Sequence, residues 1–87
     1  MSRNTGQTSR QILDAPRGAV FVWLNSHTDY PKQLAQHLGR NDIEIISPMI
    51  LESWFGKRAH FVIDHAARLT IKQLDRIIAY RKDSRDA

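Results

Sequence analysis

Apolar and polar positions alternate in blocks along the chain, and the apolar blocks predict three short strands. The first block, Ala19 to Leu24, is an uninterrupted run rich in β-branched and aromatic side chains, bounded by Gly18 and Asn25. A strand that is apolar at successive positions is typical of a parallel sheet covered on both faces. Shorter, mainly apolar segments at residues 43–47 and 59–63 predict a second and a third strand.

Helical spacing separates and follows these strands. A proline in the first turn and a glycine after the last turn predict a helix over residues 31–38, and a serine-proline pair predicts a short helix over residues 48–55. Thr70 and Gln73 form a Ser/Thr-x-x-Glu/Gln capping box at the start of a third, amphipathic helix. The side of this helix that we expect on the sheet carries Ile71, Leu74, Ile77, Ile78 and Arg81.

The predicted order, β-α-β-α-β-α, is that of a small α/β domain in two or three layers with a mainly parallel three-stranded sheet. We expect the first and third strands to be neighbours, because both are wholly apolar. Residues 1–11 are polar and predict a flexible arm, residues 12–82 form the single domain, and residues 83–87 are expected to fray. A chain of 87 residues hides only about 60–65% of its unfolded surface, so a homodimer or a partner protein could complete the core.

Composition removes several classes of protein. The longest apolar run is far shorter than the roughly 20 residues that span a bilayer, and the N-terminus has no apolar region typical of a secretory signal. We therefore expect a cytoplasmic protein without a membrane partner. The chain has no cysteine, which excludes disulfides, thiolate metal sites and cysteine nucleophiles.

Polar side chains follow each predicted strand, and the carboxyl ends of parallel strands are where such sheets bind ligands. We call this predicted group the carboxyl rim. Its members are Asn25, His27, Asp29, Ser47, Asp64 and His65. His27, Asp29, Asp64 and His65 are candidate catalytic groups of a metal-dependent hydrolase, and Asn25 and Ser47 are candidate ligand-binding groups. The chain has no metal-binding or nucleophile motif, and helix caps and turns use the same residue types, so we predict no metal and no cofactor.

The chain shows two resemblances to known proteins. Phe61-Val62-Ile63-Asp64 resembles the Walker B strand of P-loop NTPases, but the phosphate-binding loop Gly-x-x-x-x-Gly-Lys-Ser/Thr is missing after the first strand. More broadly, a set of segments between residues 18 and 70 is similar to small bacteriophage and prophage proteins. These segments are Val20–Trp23, Asp29–Pro31, Leu38–Arg40, Ile46–Pro48 and Asp64–Leu69. The resemblance implies a truncated P-loop-like core without nucleotide chemistry, in an accessory protein of the bacterial host's cytoplasm.

The function that the sequence favours is binding of a partner rather than catalysis. Thirteen Lys and Arg against nine Asp and Glu give a net charge of +4. An aromatic pair, Trp54 and Phe55, stands next to a basic pair, Lys57 and Arg58, and such residues are common anchors of protein interfaces. We therefore predict a non-enzymatic accessory or regulatory protein, with the hydrolase or ligand-binding domain as one alternative. A second alternative is nucleic-acid binding through Lys57, Arg58, Arg81, Lys82 and Arg85.

Overall fold

A three-stranded, all-parallel sheet forms the centre of the protein, whose computed structural model describes residues 3–55 and 57–82. The strands are β1 (Val20–Val22), β2 (Glu44–Ile46) and β3 (Phe61–Ile63). They lie in the order β2-β1-β3, with Phe21 opposite both Ile45 and Val62. The predicted α/β class, the parallel sheet and the pairing of the first strand with the third are confirmed. Only β1 is central, and β3 is an edge strand whose side chains are half-buried.

Four helices accompany the sheet. They are α1 (Arg3–Asp14), α2 (Asp29–His37), α3 (Pro48–Leu51) and α4 (Ile71–Tyr80). The order in the chain is therefore α-β-α-β-α-β-α, and the predicted order lacks the first helix. Helix α3 is also shorter than the helix predicted over residues 48–55, because the chain turns after Leu51. None of these helices is long and apolar enough to cross a membrane.

Helix α1 corrects the prediction of a flexible arm over residues 1–11. For residues 3–11 the structure shows a helix, in which Thr8 is buried and Gln11 is half-buried. The Thr8 hydroxyl donates to the Asp64 carboxylate, and the Gln11 side-chain amide donates to the carbonyl oxygen of Ile63, at the carboxyl end of β3. These hydrogen bonds stabilise a helix in a segment whose polar composition alone predicts disorder. Residues 1 and 2 of the predicted arm and the predicted frayed tail, 83–87, lie outside the described residues.

Helices cover both faces of the sheet, which gives three layers. Phe21 points to the face where it packs with Ile12 of α1 and Ala35 of α2. The neighbouring Val22 points to the opposite face, where it packs with side chains of α3 and α4, Leu51 and Ile77. This division follows from the alternation of side chains along a strand. It explains why β1, with a helical layer on each side, is apolar at every position.

Arg40 holds the carboxyl end of α1 against the turn that precedes β2. Its Nη1 donates to the carbonyl oxygens of Ile12 at 2.9 Å and Leu13 at 3.0 Å, which the end of a helix leaves without intrahelical partners. Its Nη2 donates to Asp42 Oδ2 at 2.9 Å, and the same carboxylate oxygen accepts from the backbone N–H of Gly18 at 2.8 Å. The hydrogen bonds from Arg40, and then that from Gly18, hold the pKa of Asp42 well below its ordinary value.

Candidate functional site

Asp64 lies at the carboxyl rim, but both of its carboxylate oxygens have structural partners. The residue is 2% exposed. Its Oδ1 accepts from the hydroxyl of Thr8 at 3.0 Å, and its Oδ2 accepts from the backbone N–H of Ala66 at 3.0 Å. Asp64 therefore joins α1 to the turn after β3. A carboxylate engaged in this way is typical of a structural hydrogen-bond acceptor.

His65 follows directly and is exposed. Its backbone N–H donates to Gln11 Oε1 at 2.8 Å, and its Nδ1 lies 3.7 Å from Asp64 Oδ1. Gln11 also donates through Nε2 to the carbonyl oxygen of Ile63 at 2.8 Å. A cavity of about 130 Å³ lies here and is lined in part by Asp64, His65 and Trp23. The structure thus brings together two of the predicted rim residues, with Gln11 as a third member that the sequence analysis missed.

Of the other rim residues, Asn25 makes a local side-chain contact. Asn25 Oδ1 accepts from the backbone N–H of His27 at 2.8 Å, which closes a short turn on the surface. Asp29 is the first residue of α2, and Ser47 precedes α3 as its cap residue without a side-chain capping bond. Among the residues that the structure describes, no three His, Asp or Glu side chains form a group that could hold a metal ion. His27 and Asp29 therefore do not join Asp64 and His65 in a metal-binding group.

Trp54, predicted to bind a partner, is half-buried and also makes contacts within the protein. Its ring lies 5.4 Å from the ring of Phe61, edge to face, on the side of the sheet that carries α3 and α4. Its indole Nε1 donates to the carbonyl oxygen of Lys57 at 2.8 Å. Trp54 is half-buried, and its role in the described residues is to fix the segment after α3 against the edge strand.

Phe55, by contrast, is 67% exposed. The guanidinium carbon of Arg76, on α4, lies 4.4 Å from the centre of its ring, a distance typical of a cation–π contact. Lys57 and Arg58 are also exposed, and Arg58 Nη1 donates to the carbonyl oxygen of Arg81 at 3.1 Å. We call Phe55, Lys57, Arg58 and Arg76 the aromatic-basic surface. Arg76 could not be assigned to it from sequence, because helical spacing does not say which loop a side chain meets.

Helix α4 buries a different side from the one that the sequence predicts. Ile77 is buried as expected, but the second buried residue is Gln73, which completes the capping box with Thr70 and donates to Glu52 Oε2 at 2.9 Å. The three remaining apolar residues of the predicted packed side form an exposed row that we call the α4 stripe. Its members, with their exposed fractions, are Ile71 at 80%, Leu74 at 40% and Ile78 at 61%.

A second cavity, of about 380 Å³, lies between α1 and β3. Its lining includes Arg10, Gln11, Ala15, Val62 and His65.

The chain was also compared with protein-family models, with curated proteins and with solved structures, and no match was found in any of the three.

Proposed function

We propose that the protein is a small non-enzymatic accessory or regulatory protein that binds a partner protein through the aromatic-basic surface. One observation carries this proposal: Phe55 is 67% exposed and is held beneath the guanidinium group of Arg76. Full burial of a phenylalanine side chain contributes about 1.5–3 kcal/mol of free energy relative to full exposure. A partner's pocket that covers the ring would therefore gain part of this free energy. Aromatic residues and arginine are enriched among the anchors of protein interfaces.

The charges around Phe55 indicate what kind of partner fits. Lys57, Arg58 and Arg76, the three residues that accompany Phe55 in the aromatic-basic surface, are positively charged. The complementary surface is an apolar pocket bordered by Asp or Glu side chains, because charges of opposite sign favour association and fix its orientation. Met49 and Ile50 of α3 are exposed shortly before Phe55 in the chain and add apolar area to the same layer of the protein.

The experiment compares proteins retained from a cell lysate by the immobilised wild type with those retained by the Phe55→Ala variant. The matched control is Leu13→Ala, because Leu13 is 51% exposed on α1, in the opposite layer. We expect a partner that the wild type and Leu13→Ala retain and that Phe55→Ala loses. With the purified partner, Phe55→Ala should raise Kd on the order of tenfold or more. A partner retained equally by all three proteins would contradict the proposal.

Nucleic-acid binding is the second candidate, favoured by the bond between Arg58 Nη1 and the carbonyl oxygen of Arg81. This bond brings the basic pair at residues 57–58 next to the basic pair at residues 81–82. The fifth residue predicted for this role, Arg85, lies outside the described residues. Contacts to phosphate release counterions, so the affinity for a short DNA duplex must fall steeply as salt is raised. Binding that is indifferent to salt would exclude this function.

The hydrolase alternative lacks comparable support, because the hydrogen bonds from Thr8 and Ala66 engage both carboxylate oxygens of Asp64. The similarity to small phage proteins and the cytoplasmic location remain predictions. Asn25 and Ser47 likewise stay predictions as ligand-binding residues.

A further inference from the structure

The cavity of about 130 Å³ at the carboxyl rim lies where the connections of two neighbouring strands diverge. Strands β1 and β3 are parallel neighbours. The helix that follows β1, α2, packs on the face of the sheet that carries Phe21, and the helix that follows β3, α4, packs on the face that carries Val22. Connections that leave neighbouring strands towards opposite faces open a crevice between the carboxyl ends of those strands. Open parallel sheets bind their ligands in this crevice.

The lining of the cavity comes from both sides of the crevice. Trp23 and Leu24 directly follow β1, and residues 64–66 directly follow β3. Tyr30, in the first turn of α2, and Thr8, in the middle of α1, complete the lining among the described residues. Segments from four elements therefore converge on one small cavity, which we call the crevice site.

The aromatic side chains and the volume of the crevice site indicate the shape of its ligand. The rings of Trp23 and Tyr30 lie 5.9 Å apart, and their planes are inclined by 43°. Trp23 is 9% exposed and is held in the core, whereas Tyr30 is 46% exposed and has surface left to cover. Aromatic pairs accept a further ring in an offset-stacked or edge-to-face arrangement. A cavity of about 150 Å³ holds one benzene molecule, so the crevice site has the size for a single ring.

The hydrogen bonds around His65 assign its tautomer. Nδ1 lies 3.3 Å from Gln11 Oε1 and 3.7 Å from Asp64 Oδ1. Gln11 Oε1 also accepts from the backbone N–H of His65, while Nε2 of Gln11 donates to the carbonyl oxygen of Ile63. Because both neighbours of Nδ1 are acceptors, the neutral imidazole carries its proton on Nδ1 and has its acceptor lone pair on Nε2. The His65 side chain, 26% exposed, therefore supplies the crevice site with a hydrogen-bond acceptor.

The carboxylate of Asp64 indicates the charge of the ligand. Asp64 is 2% exposed and lines the crevice site. A negative charge beside a buried carboxylate is repelled more strongly than in water, which disfavours an anionic ligand. We propose that the crevice site binds a small, uncharged molecule with a single aromatic ring and an N–H or O–H donor. Its ring lies against Trp23 and Tyr30, and its donor bonds His65 Nε2.

This binding site is separate from the partner-binding surface. None of the four residues of the aromatic-basic surface lines the crevice site. A ligand at the crevice site therefore does not depend on the proposed function, and either proposal can fail without the other.

The test is an NMR titration of the isotope-labelled full chain with three probes in the millimolar range: phenol, fluorobenzene and benzoate. Phenol has the ring and the donor, fluorobenzene has nearly the same shape without the donor, and benzoate carries a negative charge. We expect phenol to cause saturable shifts of the Trp23 indole N–H and of the amides at residues 64–66. Fluorobenzene should bind there about fivefold more weakly, because it makes no hydrogen bond. Benzoate should cause no saturable shift at these residues.

Three results would overturn the proposal. The first is the absence of saturable shifts with phenol, including shifts spread over the whole surface. The second is fluorobenzene binding as tightly as phenol, since the donor would then have no partner. The third is benzoate binding as tightly as phenol, since the Asp64 carboxylate would then set no charge preference.

Two variants assign the contacts. His65→Phe keeps a ring but removes the acceptor, so phenol should lose its advantage over fluorobenzene. His37→Phe, at an exposed histidine of α2, is the control and should keep that advantage. Tyr30→Ala should weaken phenol and fluorobenzene alike, whereas Tyr30→Phe should bind both as the wild type does. An advantage of phenol that survives in His65→Phe, or unchanged binding in Tyr30→Ala, would overturn the arrangement. If the NMR spectrum shows that a variant is unfolded, the comparison of the three probes on the wild type still decides the proposal.

Discussion

Thr8 donates its hydroxyl to the carboxylate of Asp64 across 3.0 Å, and both side chains are buried. The two residues are 56 positions apart in the chain. This bond attaches α1 to the carboxyl end of β3 at the place where an active site of a parallel sheet would stand. The same hydrogen bond therefore stabilises the fold and engages the carboxylate that a hydrolase would use for catalysis.

Thr8→Val is expected to lower the free energy of unfolding by about 1–3 kcal/mol, because it leaves Asp64 Oδ1 without its hydroxyl donor in a buried site. Valine keeps the shape of the side chain, so the loss reports the hydrogen bond. Urea unfolding followed by circular dichroism measures it. Thr8→Ser is the control, since it retains the hydroxyl and should recover most of the stability. Equal losses in both variants would show that packing of the methyl group dominates.

Arg40→Ala is expected to free the carboxyl end of α1, because it removes the donors to the carbonyl oxygens of Ile12 and Leu13. The unfolding midpoint in urea should fall, and the backbone amides in the last turn of α1 should exchange faster than in the wild type. Arg17→Ala is the matched control, because Arg17 is an exposed arginine close by in the chain. Unchanged exchange in Arg40→Ala would contradict this role for Arg40.

The stability of the fold is expected to depend on pH through the ionisation of the Asp42 carboxyl group. Its pKa in the folded protein is held well below the ordinary 3.8 by hydrogen bonds from Arg40 and Gly18. The ionised carboxylate therefore stabilises the fold at neutral pH, and this contribution is lost as the pH falls below 3.8, where the unfolded chain takes up the proton first. The difference in unfolding midpoint between the wild type and Asp42→Asn should shrink over that range. A difference that is constant with pH would contradict the assignment.

Trp54 and Phe55 are adjacent in sequence but should respond differently to truncation. Trp54→Ala removes a half-buried ring that packs on Phe61, and it should lower the free energy of unfolding by up to about 3 kcal/mol. Phe55→Ala removes an exposed ring and a surface cation–π contact, and the loss should stay below about 1 kcal/mol. Thermal unfolding of both variants compares them directly. A larger loss in Phe55→Ala would mean that Phe55 belongs to the core.

The sheet was predictable and α1 was not, for one physical reason. The apolar run at residues 19–24 carries its own signal, because a strand covered on both faces must be apolar throughout. Helix α1 depends on partners 52 and 56 residues away, bound by Gln11 and Thr8, and no local pattern encodes them. The buried side of α4 was missed because Gln73 was assigned only to the cap, whereas its amide also reaches inward to Glu52.

The carboxyl rim shows the same limit. Sequence reasoning placed Asp64 and His65 at one end of the sheet, and the structure places them there. It did not foresee that the side chains bound to them would come from a helix before the first strand. Of the aromatic-basic surface, Phe55 and the basic pair were predicted, while Arg76 was found only from its contact with the Phe55 ring.

The attachment of α1 has a consequence for the order in which the chain becomes fixed. Helix α1 adds no strand to the sheet, and Gln11 binds Ile63 and His65, which a ribosome adds some fifty residues later. During synthesis, its binding site exists only once β3 has paired with β1. Helix α1 is synthesised before the three strands but is thus among the last elements to reach its final position. Until then, Ile12 does not cover the face of the sheet that carries Phe21.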